Sequence, residues 1–363
     1  MSKAFLPLRL NSKHELKNRL AVAPMTTTQS NPDGIISDDE ALWLERLASD
    51  GYGIVISCAA AISQDSIAFE NQLSVENDSM LPQLTELAGR LKKYNNVNLI
   101  QLCHAGARAI KSQPFSASSY PMPMIPDFVP PQTLSTQQIG QIVSDFANAC
   151  VRVAKAGFDG IEFHGANGYL FTQFTSKMTN LRDDNYGGSL ENRARFSREV
   201  VRACRQAVHA DFIIGYRVSF ENMGMETGLD IDENIQLVNW LAENGIDYVH
   251  VSSLDYQSNS LKYPDQNALQ YISSKITKSI LLIGVGGIMS LKAAEQAMEY
   301  GADIVAIGRG AIGNKDLPKI FAKGQELPHM NPFTESHLKE LGISQNFISY
   351  LRKMPVAMLN VVQ

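Results

Sequence analysis

Gly157-Phe-Asp-Gly-Ile-Glu-Phe-His-Gly-Ala-Asn-Gly-Tyr-Leu-Phe-Thr-Gln-Phe174 reads as a turn, a short buried strand and then a polar cluster. His164, Asn167 and Tyr169 fall within six residues at the strand's end. His and Asn can both donate a hydrogen bond to one carbonyl-type oxygen, and Tyr can deliver a proton. A strand that ends in such a cluster points to a site built on a rigid rim.

Working outward, short apolar or β-branched runs recur at residues 20–23, 53–57, 98–102, 160–163, 212–218, 248–251, 281–284 and 304–307. Most are continuous rather than alternating, as expected of parallel strands covered on both faces. Helical patterns lie between them. Ser37-Asp-Asp-Glu40 reads as a capping box opening a helix to about 49, and Ser135-Thr-Gln-Gln138 as another. After the second box, Ile139, Ile142, Val143, Phe146, Cys150 and Val153 make one stripe at helical spacing. Further helices are expected at 81–94, 189–208, 230–244, 267–277 and 290–300. Unbroken alternation of strand and helix means an α/β fold with parallel strands. Eight units in 363 residues favour a closed eight-stranded (β/α)8 TIM barrel with extra loops on its C-terminal face. No G-x-G-x-x-G follows the first strand, which weakens a doubly wound dinucleotide fold.

The barrel should occupy about 18–315, with a C-terminal helical extension at about 321–363 that closes the barrel or meets another subunit of a homo-oligomer. No linker or repeat is evident, so 1–363 reads as one domain. Long connections follow the third and fourth strands, where barrel enzymes carry their sites. The first holds Pro114, Pro121, Pro123, Pro126, Pro130 and Pro131, a substrate wall or a rigid crossover.

Composition narrows the function classes. A net charge of −5 gives no footprint for nucleic acid. No run of 18 apolar residues exists and residues 1–20 lack a signal-peptide core, so a cytoplasmic protein without a membrane span is expected. Cys58, Cys103, Cys150 and Cys204 form no C-x-x-C pair, so no metal site is read and buried thiols are expected.

Each remaining strand end contributes to the same rim. Pro24-Met25-Thr26 follows the first strand and Ala60 lies at the end of the second. Gln101 lies on the third, Arg217 on the fifth, and His250 and Ser252 near the end of the sixth. Gly286-Gly287 follows the seventh strand and Gly308-Arg309 the eighth. Glycine turns after the last two strands form the usual phosphate pocket of a barrel, and Arg309 adds a fork of charged donors.

Together these residues resemble the old yellow enzyme family of FMN-dependent ene-reductases, the NADH:flavin oxidoreductases. Asn18-Arg-Leu-Ala-Val-Ala-Pro-Met-Thr26, Gln101-Leu-Cys-His-Ala-Gly106, Phe158 through His164, Asn180 through Arg193, Gly286-Gly287 and Ile307-Gly-Arg309 carry the likeness over about 5–315. The resemblance implies that FMN binds tightly and without a covalent bond. Pro24 and Met25 would back the flavin, with Thr26 bonding near its O4 edge, Ala60 and Gln101 at its pyrimidine end and Arg217 beside N1 and O2. Gly286, Gly287, Gly308 and Arg309 would hold the phosphate. It further implies NADPH or NADH as reductant and an α,β-unsaturated carbonyl compound as acceptor, with His164 and Asn167 on its oxygen and Tyr169 as proton donor. Thr28 stands where some bacterial members have a tyrosine, and the tail from Leu351 does not match. Two other readings stay open: a flavin-binding barrel with a sensing or carrier role, and a flavin-free phosphate-binding barrel enzyme.

Overall fold

The computed structural model describes residues 2–121, 129–224, 226–355 and 359–362. Eight parallel strands close into a barrel: β1 Leu20–Val22, β2 Ile54–Ala61, β3 Val97–Cys103, β4 Gly160–Gly165, β5 Ile213–Val218, β6 Tyr248–Val251, β7 Leu281–Val285 and β8 Ile304–Ile307. Each lies where an apolar run stands in the sequence, and β8 pairs with β1 to complete the ring. Around them run α1 Asp38–Ser49, α2 Leu81–Leu91, α3 Thr136–Ala156, α4 Leu170–Thr175, α5 Leu190–Ala207, α6 Ile231–Glu243, α7 Ala268–Lys275 and α8 Leu291–Glu299. The tail adds α9 Arg309–Gly313, α10 Leu317–Ala322, α11 Glu335–Glu340 and α12 Gln345–Leu351. Among the described residues no helix is long and apolar enough to cross a membrane.

The two-residue period of a strand decides what fills the barrel. Ala21, Ile54, Ile56, Val97, Leu99, Ile213, Ile283 and Ile304 pack with one another into an apolar lower core. Leu10 and Leu16 join this core from a small hairpin, Leu8–Arg9 paired with Glu15–Leu16, which floors the barrel. That hairpin was not among the expected elements; its leucines alternate with charges, and its two-residue strands are too short to register as runs. On the outer side of β4, Phe163 packs edge-on to Phe146 of α3 and to Phe171 of α4, with ring centroids 5.7 and 5.8 Å apart. This aromatic cluster fixes the strand that carries His164 and the short helix that starts after Tyr169.

Local signals mostly held, with one correction. At Ser135 the capping box closes in both directions. At Ser37 only half of it forms: the Ser37 side chain accepts from the Glu40 amide, but the Glu40 carboxyl turns inward to Thr27 and Ser30. The site for that carboxyl is fully buried and raises its pKa, so it is held mainly by hydroxyl donors. The long connection after β3 is tied down at its described ends, where Phe115–Ser116 pairs with Gln132–Thr133 and Arg182 donates to Ala117 O and Leu134 O. Pro123 and Pro126 lie outside the described residues. All four cysteines are free and buried.

One close approach is demanding. A Cβ at Gly215 of β5 would lie 2.0 Å from Cζ of Tyr248, so only glycine admits that ring into the barrel. Gly215→Ala should therefore lower stability by about 1–3 kcal/mol, the usual cost of overpacking a core. In a Tyr248→Ala background, where the ring is gone, the same glycine change should cost less. Urea unfolding in both backgrounds measures it.

Candidate active site

Above the apolar floor the interior becomes polar, because the strand register brings polar residues to one level. Gln101 of β3 stands opposite Glu162 of β4, His164 opposite Arg217 of β5, and Arg217 opposite His250 of β6. Glu162 is the hub. It accepts from Gln101 Nε2 at 2.8 Å, from the Tyr248 hydroxyl at 3.0 Å and from His250 Nδ1 at 2.9 Å, all buried. Burial alone would raise the Glu162 carboxyl, but His250, Arg217 and Gln101 hold it below the ordinary range. Burial drives His250 down, so a neutral imidazole donates its Nδ1 proton to the carboxylate. Burial likewise pulls Arg217 down, with Glu162 the strongest counter-charge opposing that pull.

Beyond β4 the chain turns sharply. Asn167 sits at φ +60°, in the left-handed region that Asn tolerates better than most side chains. Its side-chain Oδ1 accepts from Ser252 at 3.2 Å, and Ser252 in turn accepts from Arg217 at 3.3 Å. With Oδ1 occupied, the Nδ2 donor of Asn167 is left for something other than Ser252. His164 Nδ1 is buried and has no protein partner. Burial and then Arg217 hold His164 far below its ordinary pKa, so its ring is neutral. Tyr169 packs edge-on to His164, with centroids 4.8 Å apart, and burial keeps its phenol protonated well above the usual range. The turn is braced by Glu226, which accepts from the Gly168 amide at 3.0 Å, while its other oxygen has no protein partner.

Arg217 also ends a cavity of about 280 Å³ that opens toward Arg309. Pro24, Met25, Thr26, Gly286, Gly287 and Gly308 line it as well. Gly286 has φ +110°, and a Cβ there would lie 2.6 Å from the Asp255 amide, so this wall stays bare backbone. The C-terminal extension does close over the mouth. Phe347, Tyr350 and Leu351 of α12 line the cavity, and Tyr350 lies beside Thr26. Arg352 is tied to Glu335 within the same tail. His164 stands beside Arg217 by strand register, Asn167 is linked to it through Ser252, and Tyr169 lies against His164; none of the three is among the residues that line the cavity. Gln101 is committed to Glu162 beneath it, and Ala60 is wholly buried in β2.

Such a cradle fits a phosphorylated planar group: a backbone-lined end with an arginine, an apolar middle, and buried donors at the far end. Residues 3–327 match the NADH:flavin oxidoreductase / NADH oxidase family. The chain belongs to this family. A probable NADH-dependent flavin oxidoreductase of Bacillus subtilis, YqiG, is 34% identical over 89% of this chain and 88% of its own length. An NADH:fumarate oxidoreductase of Klebsiella pneumoniae is 32% identical over 88% of this chain but only 36% of its own length. The chain thus spans about a third of that longer relative. Among solved structures, morphinone reductase superposes with a TM-score of 0.82 at 27% identity, covering 95% of this chain and 96% of that one. This is the family whose motifs the sequence carries.

Glu162, Tyr248, Glu226, Arg108 and the α12 side chains carried no role in the sequence reading. Glu226 can be tested directly. Burial pushes its pKa up to about 7, so folding favours the protonated form and its contribution is lost as pH rises from the unfolded value toward 7. Glu226→Gln should melt higher than wild type at pH 8, and the gap should close as the pH falls toward about 4.5. Thermal melts across that range show the sign.

Proposed function

We propose that this chain is an FMN-dependent oxidoreductase that draws on NADH or NADPH and reduces the activated C=C bond of α,β-unsaturated carbonyl compounds. The observation that carries the reading is a pair of donors three residues apart at the end of β4: buried, neutral His164 with an unpaired ring nitrogen, and Asn167 with its oxygen already taken by Ser252. A carbonyl oxygen fits both and becomes polarised, which makes its β-carbon electron-poor. Tyr169 keeps its proton through the working pH range and offers it to the α-carbon.

FMN supplies the chemistry of accepting hydride from NAD(P)H and delivering it to the alkene. Pro24 and Met25 would pack against its ring, Thr26 would bond near its O4 edge, and Arg217 would answer negative charge at its pyrimidine end. Gly286, Gly287, Gly308 and Arg309 would hold its phosphate. Residues 1–363 would act as one unit, with α12 as part of the wall.

The purified holoprotein should be yellow, bleach under anaerobic NADPH and regain colour when cyclohexenone is added. A colourless protein that takes up no FMN overturns the reading, while colour without enone turnover favours the carrier role. Tyr169→Phe should bleach normally but regain colour about 10²–10⁴-fold more slowly. His164→Ala should weaken the oxygen-directed contact by about 3 kcal/mol, read as lost phenol affinity in the charge-transfer band.

A further inference from the structure

We infer that Arg108 is a positioning residue that sets the proton-donating power of Tyr169. This rests on the reading of Tyr169 as the proton donor. The Arg108 guanidinium carbon lies 4.6 Å from the centroid of the Tyr169 ring. Its Nη1 donates to Asn167 O at 2.5 Å. One side chain therefore touches both the turn that carries the substrate-oxygen donor and the face of the phenol.

A cation over an aromatic face is attracted by the ring's quadrupole. That attraction grows as the ring becomes negative. In the proposed step the Tyr169 O–H bond breaks, a C–H bond forms at the substrate α-carbon, and the phenolate left behind regains its proton from solvent. Arg108 thus stabilises the developing phenolate more than the starting phenol, which is what accelerates a step. The other neighbours of the ring do not do this. Cys103, Tyr350 and Cys58 would each raise the phenol if charged, burial keeps both thiols protonated, and His164 is neutral. Arg108 is the group that pulls the phenol down against burial.

The contact is built rather than incidental. Gln173 of α4 accepts from the Ala107 amide at 3.0 Å and donates to Ala105 O at 3.2 Å and to Gly168 O at 2.8 Å. The backbone just before Arg108 and that just before Tyr169 are locked together by a buried amide.

Arg108→Met, Arg108→Lys, Tyr169→Phe and the double variant Arg108→Met/Tyr169→Phe, each loaded with FMN, test this in anaerobic stopped-flow. The readout is the rate of colour return with cyclohexenone, divided by the NADPH bleaching rate of the same variant. Arg108→Met should lower that ratio about 3- to 30-fold, the span of a cation–π contact. It should have no further effect when Tyr169 is already Phe, since residues acting through one another are not additive. It should also raise the solvent deuterium isotope effect, and Arg108→Lys should restore most of the rate. An equal slowing in the Tyr169→Phe background, or no slowing in the wild-type background, overturns the proposal while the Tyr169 reading stands. If Tyr169→Phe itself returns colour at the wild-type rate, the proton-donor reading fails and takes this one with it.

Discussion

A carboxylate with no access to water sits in the middle of this barrel. Unpaired, Glu162 would be intolerable there. Its cost is offset by three donors from two other strands and by the nearby guanidinium of Arg217. Gln101, Tyr248 and His250 are thereby fixed, and Arg217 keeps a buried Nε with no protein partner just beneath the mouth. The polarity of the mouth is thus arranged from below. A charge buried in one strand dictates which groups on its neighbours are spent and which are left to meet a ligand.

The second requirement is stiffness at the turn after β4. Asn167 in a left-handed conformation persists only if its surroundings hold it. The Phe146, Phe163 and Phe171 cluster fixes the strand before the turn and the helix after it. Ser219 accepts from the Asn167 amide and Glu226 from that of Gly168. Gln173 then stitches this turn to the one after β3. Two loops that are 59 residues apart at Arg108 and Asn167 behave as one piece of rim.

Much of this was legible from the chain itself, for a physical reason. Strands buried on both faces leave continuous apolar runs, and those runs marked all eight staves. His164, Asn167 and Tyr169 were legible because three polar groups of complementary chemistry stand together along the chain. Glu162 stands only two residues from His164, yet its meaning lies in partners 61, 86 and 88 residues away that become neighbours only through strand register. Glu40 shows the opposite error. Its spacing from Ser37 promised a reciprocal cap, but burial against Thr27 and Ser30 claimed the carboxyl first. Arg108 and Tyr350 lie in a loop and a tail without patterned spacing, so only the folded chain brings them to Tyr169 and Thr26.

The leucine-filled hairpin beneath the barrel has a consequence for traffic. Among the described residues, Leu10 and Leu16 pack into the floor, and α12 roofs one flank of the opening above. On the proposed function both visitors would come in at the mouth. Nucleotide and acceptor would have to use it in turn, each departing before the other arrives. An enzyme of that kind would keep no ternary complex, and a crowd of either visitor at the threshold would hold up its counterpart.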